Sequence, residues 1–100
     1  MPPLFIVAIN EKDMRQISWN IMLQEAFETT GDNFKKMQTT LSTEELNRMF
    51  NDGYGCSEGT PFTAWGEKYV YFPVVYDGAE WVGYAPRNVC DIKTPHWGSE

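Results

Sequence analysis

Basic side chains are few: eight Lys and Arg stand against fourteen Asp and Glu, a net charge of −6 over 100 residues. The deficit deepens along the chain, because residues 51 to 100 hold only Lys68, Arg87 and Lys93. Nucleic-acid binding needs clustered cations for the phosphate backbone, so this balance argues against it and suits a partner with a basic surface. Cysteine and histidine are scarcer still, two and one respectively. Cys56, Cys90 and His96 are too few and too far apart for a four-ligand zinc site, and two cysteines do not define a disulfide. The chain therefore reads as reduced and without cofactor. Its longest opening apolar run, Leu4 to Ile9, is too short for a membrane span and short for a signal peptide, and no basic residue precedes it. These absences predict a protein of the cytoplasm. With no repeat, low-complexity tract or linker, and with 42% hydrophobic content, a single domain over 1–100 is expected.

Motifs for catalysis are equally thin. Gly55-Cys56-Ser57-Glu58-Gly59 has the spacing of a nucleophile elbow, followed by Asp91 and His96 in hydrolase order. An elbow needs a strand before its serine and a helix after it; here a helix end precedes, and Thr60-Pro61 with a strand follows. Cys56 and His96 could form a thiol–imidazole pair only if the tail folded over the loop. The simpler reading makes Cys90 a buried structural residue and Cys56 a loop thiol. Glu44 and Glu45 are accounted for by a helix cap, and the glycines from 53 to 59 lead into a strand, not the helix that a phosphate cradle requires. The chain is expected not to be an enzyme. A small hydrolase using residues 54–59 with His96 is the alternative.

What the sequence does hold is a series of secondary-structure signals. Leu4 to Ile9, apolar throughout, reads as a buried strand. Asn10 can cap a helix with Glu11 and Asp13 in its first turn and Gly31 as its stop. Met14, Ile17 and Ile21 form its stripe, and Trp19, Met22, Leu23, Ala26 and Phe27 widen it into a face for the core. A short helical turn is expected between Gly31 and Thr40. Ser42-Thr43-Glu44-Glu45 spells a capping box, with Leu41 and Leu46 at staple positions, so a second helix runs from about Thr43 to Asn51, with Leu46, Met49 and Phe50 as its apolar face.

The last third reads as sheet. Asp77-Gly78 between two β-rich runs predicts a two-residue hairpin turn, with Tyr76 facing Ala79, Val74 facing Trp81 and Phe72 facing Gly83. Phe72 then shields a glycine, which pins the register. Phe62 to Trp65 adds a third strand through Gly66-Glu67-Lys68, with Trp65 opposite Tyr69. Pro86 closes the meander, and the tail to Glu100 is expected to pack back irregularly. The fold class is therefore α+β: an N-terminal strand, two helices and a three-stranded antiparallel meander, in the order β-α-α-β-β-β, with the helices on one sheet face.

Strand alternation gives the hairpin two faces. Val70, Phe72, Val74 and Trp81 are assigned inward. The other face carries Tyr69, Tyr71 and Tyr84 with Glu80, apolar in body and polar at the tips, and these four are the expected partner-binding residues: three aromatic anchors and a charge. The same face could stack single-stranded bases, against which the charge argues. An open sheet edge also allows a homodimer.

The run Tyr71-Phe72-Pro73-Val74-Val75-Tyr76-Asp77-Gly78-Ala79-Glu80-Trp81-Val82-Gly83 with Pro86-Arg87-Asn88 resembles segments of small, mostly uncharacterised accessory proteins of bacterial phages and prophages. The resemblance is confined to residues 69–88 and contains no catalytic motif. It implies a single-domain protein made inside a bacterial host that binds and alters one host or defence protein. Such a phage-borne inhibitor or modulator would act by covering a surface of its target, which is also where the absence of reactive groups leads.

Overall fold

The computed structural model describes residues 16–51, 59–76 and 78–98. The strand expected over Leu4 to Ile9 and most of the glycine-rich loop lie outside them. Within them the chain is α+β. Its elements are β1 (Gln16–Ile17), α1 (Trp19–Thr30), a 3-10 turn (Phe34–Lys36), β2 (Gln38–Thr39), α2 (Thr43–Asn47), β3 (Phe50–Asn51), β4 (Ala64–Trp65), β5 (Tyr69–Tyr76) and β6 (Ala79–Pro86). There are two antiparallel sheets: β1 with β3, and a four-stranded sheet in the order β2-β4-β5-β6.

The first described helix begins at Trp19. Gln16 and Ile17 are extended because they pair with Asn51 and Phe50, and Ser18 caps α1 by accepting from the Ile21 amide at 3.2 Å, while the expected cap Asn10 lies outside the described residues. Its end is as read. Gly31 adopts φ +75°, and the Gly31 and Asp32 amides return to the Glu28 and Phe27 carbonyls at 3.3 and 3.0 Å. This closure fixes the direction in which Asp32 leaves the helix.

The capping box on α2 forms in full: the Glu45 amide donates to Ser42 Oγ at 3.1 Å and the Ser42 amide to Glu45 Oε1 at 2.8 Å. The helix stops at Asn47, short of the expected Asn51. Arg48 turns extended, Phe50 goes into β3 against Trp19, and Met49 is left exposed. Tertiary packing of one aromatic thus overrides the helical pattern of this short segment.

In the sheet, the β5–β6 register is the one expected, including Phe72 opposite Gly83 and Tyr76 opposite Ala79, with Gly78 at φ +87°. Asp77 lies outside the described residues. The β4–β5 register is one residue off expectation, with Trp65 opposite Val70. The turn is held at Glu67-Lys68 by groups from elsewhere in the chain. Gly66 N–H donates to the Tyr69 carbonyl at 2.9 Å. The return bond of that pair is replaced: Tyr69 N–H donates to Asp32 Oδ2 at 3.0 Å, and Arg87 Nη1 donates to the Gly66 carbonyl at 2.7 Å.

The core lies between α1 and the sheet. Trp19, Leu23, Phe27, Phe50, Phe62 and Tyr71 are its large members, with Trp19 edge-on to Phe62 at 4.8 Å and Phe27 stacked on Tyr71 at 4.2 Å. This reverses the face assignment made for the hairpin. The tyrosine face is the one that meets the helix. Of the residues assigned inward, Val74 is buried but stands apart from the main core, while Val70, Phe72 and Trp81 are half-buried. A phenol can enter a core when its oxygen finds partners, and here it does.

Candidate functional site

The four residues expected to form a partner surface occupy three different environments. Tyr71 is fully buried at 0% exposure and Glu80 is buried at 5%, so neither offers surface in the folded chain. Both Glu80 oxygens accept from the Gly59 amide, at 3.0 and 3.3 Å, which ties the chain before β4 to β6. Tyr69 and Tyr84 are half-buried and edge-on to each other at 5.7 Å. Of the four, Tyr84 borders an open groove.

Tyr71 belongs to a polar cluster at the end of α1. Its phenol donates to Asp32 Oδ2 at 2.9 Å and lies 2.9 Å from Thr30 Oγ1. Asp32 also accepts from the amides of Asn33, Glu67, Lys68 and Tyr69, at 2.9 to 3.2 Å. Three consecutive amides around one carboxylate form an anion site that the chain fills for itself. Burial works against ionisation of Asp32, but hydrogen bonds from Asn33, Tyr71, Lys68 and Tyr69 outweigh it and hold the carboxyl below the usual aspartate range. Burial pushes the Tyr71 phenol well above its ordinary pKa; the Thr30 hydrogen bond opposes this, while the Asp32 hydrogen bond and charge add to it. The cluster is saturated with internal bonds and serves to lock the turn.

The groove lies along the other side of α1. Met22, Glu25, Ala26 and Thr29 form its helical wall, and Trp81, Val82 and Tyr84 of β6, with Trp97, form the opposite wall; its volume is about 260 Å³. Two features of the sequence build it. The α1 face is broad enough to reach past the sheet, and Trp97 returns over β6 to lie edge-on to Tyr84 at 5.1 Å. Its indole Nε1 donates to the Tyr84 carbonyl at 3.1 Å. Because Tyr76 pairs with Ala79 across the two-residue turn, Val82 and Tyr84 turn their main-chain groups away from β5. Among the described residues, nothing pairs with the N–H or carbonyl of Val82 or with the N–H of Tyr84.

Not all of the groups considered for catalysis lie among the described residues. Cys56 and Ser57 lie outside the described residues. Asp91 and His96 are exposed on the tail, and Cys90, expected to be buried, is exposed there as well. The tail from Arg87 stays irregular, as read, and it reaches the sheet at Trp97, leaving Val89 and Ile92 in solvent. Among the described residues no group of three or more His, Cys, Asp or Glu is placed to hold a metal, and no helix is long and apolar enough to cross a membrane.

Sequence reasoning missed two contributors to this architecture. Asp32 had a legible signal, an acidic residue directly after a helix-stopping glycine. Trp97 had none, because a lone tryptophan in an irregular tail carries no periodicity. No family model matches the chain, and no curated protein or solved structure matches it.

Proposed function

We propose that the chain is a small protein-binding module, a phage-borne inhibitor or modulator that acts by covering a surface of a host or defence protein. The observation that carries this reading is the α1–β6 groove: an apolar trough open to solvent, flanked by half-buried aromatics and by main-chain groups of Val82 that have no partner among the described residues. Aromatic side chains that keep part of their surface wet are common anchors at protein interfaces. The acidic balance favours a basic partner and opposes phosphate binding. The resemblance of residues 69–88 to phage and prophage accessory proteins points the same way.

The test is co-purification of the tagged chain from bacterial lysate, followed by identification of the captured protein. A single partner in near-stoichiometric amount, lost with Trp81→Ser or Glu25→Lys and retained with Ser57→Ala and His96→Ala, is the expected result. Retention by the groove variants, with loss of biological activity in Ser57→Ala or His96→Ala while folding is intact, would transfer the function to the small-hydrolase alternative.

A further inference from the structure

Resting on the binding-module reading, we propose how the groove engages its partner: an extended segment of that protein, apolar at alternate positions and carrying a Lys or Arg, adds to β6 as a fifth strand. Val82 is only 7% exposed, yet its N–H and carbonyl both point to the sheet edge and have no partner among the described residues. Main-chain groups that point to a sheet edge are a template for a further strand, which supplies their hydrogen bonds. Trp97 sets where pairing stops. Its indole already takes the Tyr84 carbonyl, so the incoming strand is centred on Val82.

Side chains of an added strand alternate between the two sheet faces. Those on the helical side enter the groove between Met22 and Tyr84, where an apolar residue fits. Glu25, exposed on the same wall, is the only charged residue among the described residues that line the groove, and it selects a basic neighbour. A second copy of this chain is the poorer occupant. It would set two molecules of charge −6 side by side, each offering an acidic groove wall at Glu25 where the other needs a cation.

The test selects short randomised peptides on the immobilised protein and reads their consensus. Alternating apolar residues with Lys or Arg are expected. N-methylation of the peptide amide that faces Val82 should weaken binding by about tenfold, the loss of one main-chain hydrogen bond. Hydrogen exchange at the Val82 amide should slow on binding, and Glu25→Lys should turn the preference towards acidic peptides. No enrichment over an unrelated protein, an unchanged affinity after N-methylation, or an unchanged Val82 exchange rate each overturns the proposal. So does a dimer in light scattering that competes with the peptides. If a partner co-purifies and no peptide is enriched, binding stands and strand addition fails.

Discussion

The Asp32 carboxylate and the Tyr71 phenol, 2.9 Å apart, join the end of α1 to the middle of the sheet. The phenol is buried because the carboxylate and Thr30 satisfy its oxygen, and the carboxylate is aimed at the Glu67-Lys68 turn because Gly31 reverses the chain just before it. Each satisfies part of the other's hydrogen bonding.

Replacing Asp32 should therefore cost more than a surface aspartate. Asp32→Ala removes acceptors from the Glu67, Lys68 and Tyr69 amides and from Tyr71, and should lower stability by about 2 to 3 kcal/mol in urea unfolding. Asp32→Asn keeps one acceptor oxygen and should lose less. An Asp32→Ala variant as stable as the parent would mean that the turn holds itself.

The same carboxylate gives stability a pH dependence of defined sign. Its pKa is lowered in the folded state, so the folded chain binds fewer protons than the unfolded one. The contribution is complete above the unfolded aspartate value of about 3.9 and is lost as pH falls through the lower folded value. Urea midpoints measured from pH 6 down to pH 2 should decline more steeply for the parent than for Asp32→Asn.

Tyr71 makes the opposite prediction at high pH. Its pKa is raised on folding, so its contribution is present below the ordinary tyrosine value of about 10 and is lost as pH rises through the folded value. Ultraviolet titration should show one tyrosine ionising later than the others, together with loss of native structure. Tyr71→Phe keeps the stack on Phe27 and removes the late step. It should cost about 1 to 2 kcal/mol by leaving Asp32 and Thr30 short of a partner.

These residues also mark how far the sequence could be read. The hairpin register, the Gly31 stop and the Ser42–Glu45 cap were legible because each is set by residues within a few positions of one another. The orientation of the hairpin was not. Both of its faces are apolar in body, so periodicity could not choose between them, and the choice fell to Tyr71 reaching Thr30 and Asp32, some forty positions away in the chain. The start of α1 and the end of α2 moved for the same reason: Ile17 and Phe50 pair across a long separation. For the candidate site, Tyr84 was legible as a partner-surface aromatic and the return of the tail was expected, whereas the landing of Trp97 on Tyr84 is set by no local pattern.

Gly66 should tolerate no side chain. A Cβ there would lie 2.1 Å from Asp32 Oδ2 and 2.8 Å from the Phe27 ring, so either the carboxylate leaves its amides or the turn leaves α1. Gly66→Ala should destabilise by about 2 to 4 kcal/mol, in the range of overpacked cores with a lost hydrogen-bond cluster. The double variant Gly66→Ala/Asp32→Ala should lose less than the sum of the two, since one of the two clash partners is gone and only the Phe27 ring remains.

Trp97 has two roles that different substitutions separate. Its ring packs over Gly83, where an added Cβ would stand 3.1 Å from Trp97 and 2.7 Å from Phe72, and its N–H closes the β6 edge at Tyr84. Trp97→Phe keeps most of the packing and frees the Tyr84 carbonyl; Trp97→Ala loses both. Unfolding should therefore show a small cost for Phe and about 2 kcal/mol for Ala, less than for a fully buried tryptophan because Trp97 is half-buried. Edge protection should follow the other order of causes. If the indole N–H blocks strand pairing, both variants should self-associate in light scattering at concentrations where the parent is monomeric, because an unpaired strand edge invites another. Association by Trp97→Ala alone would assign the protection to the bulk of the ring.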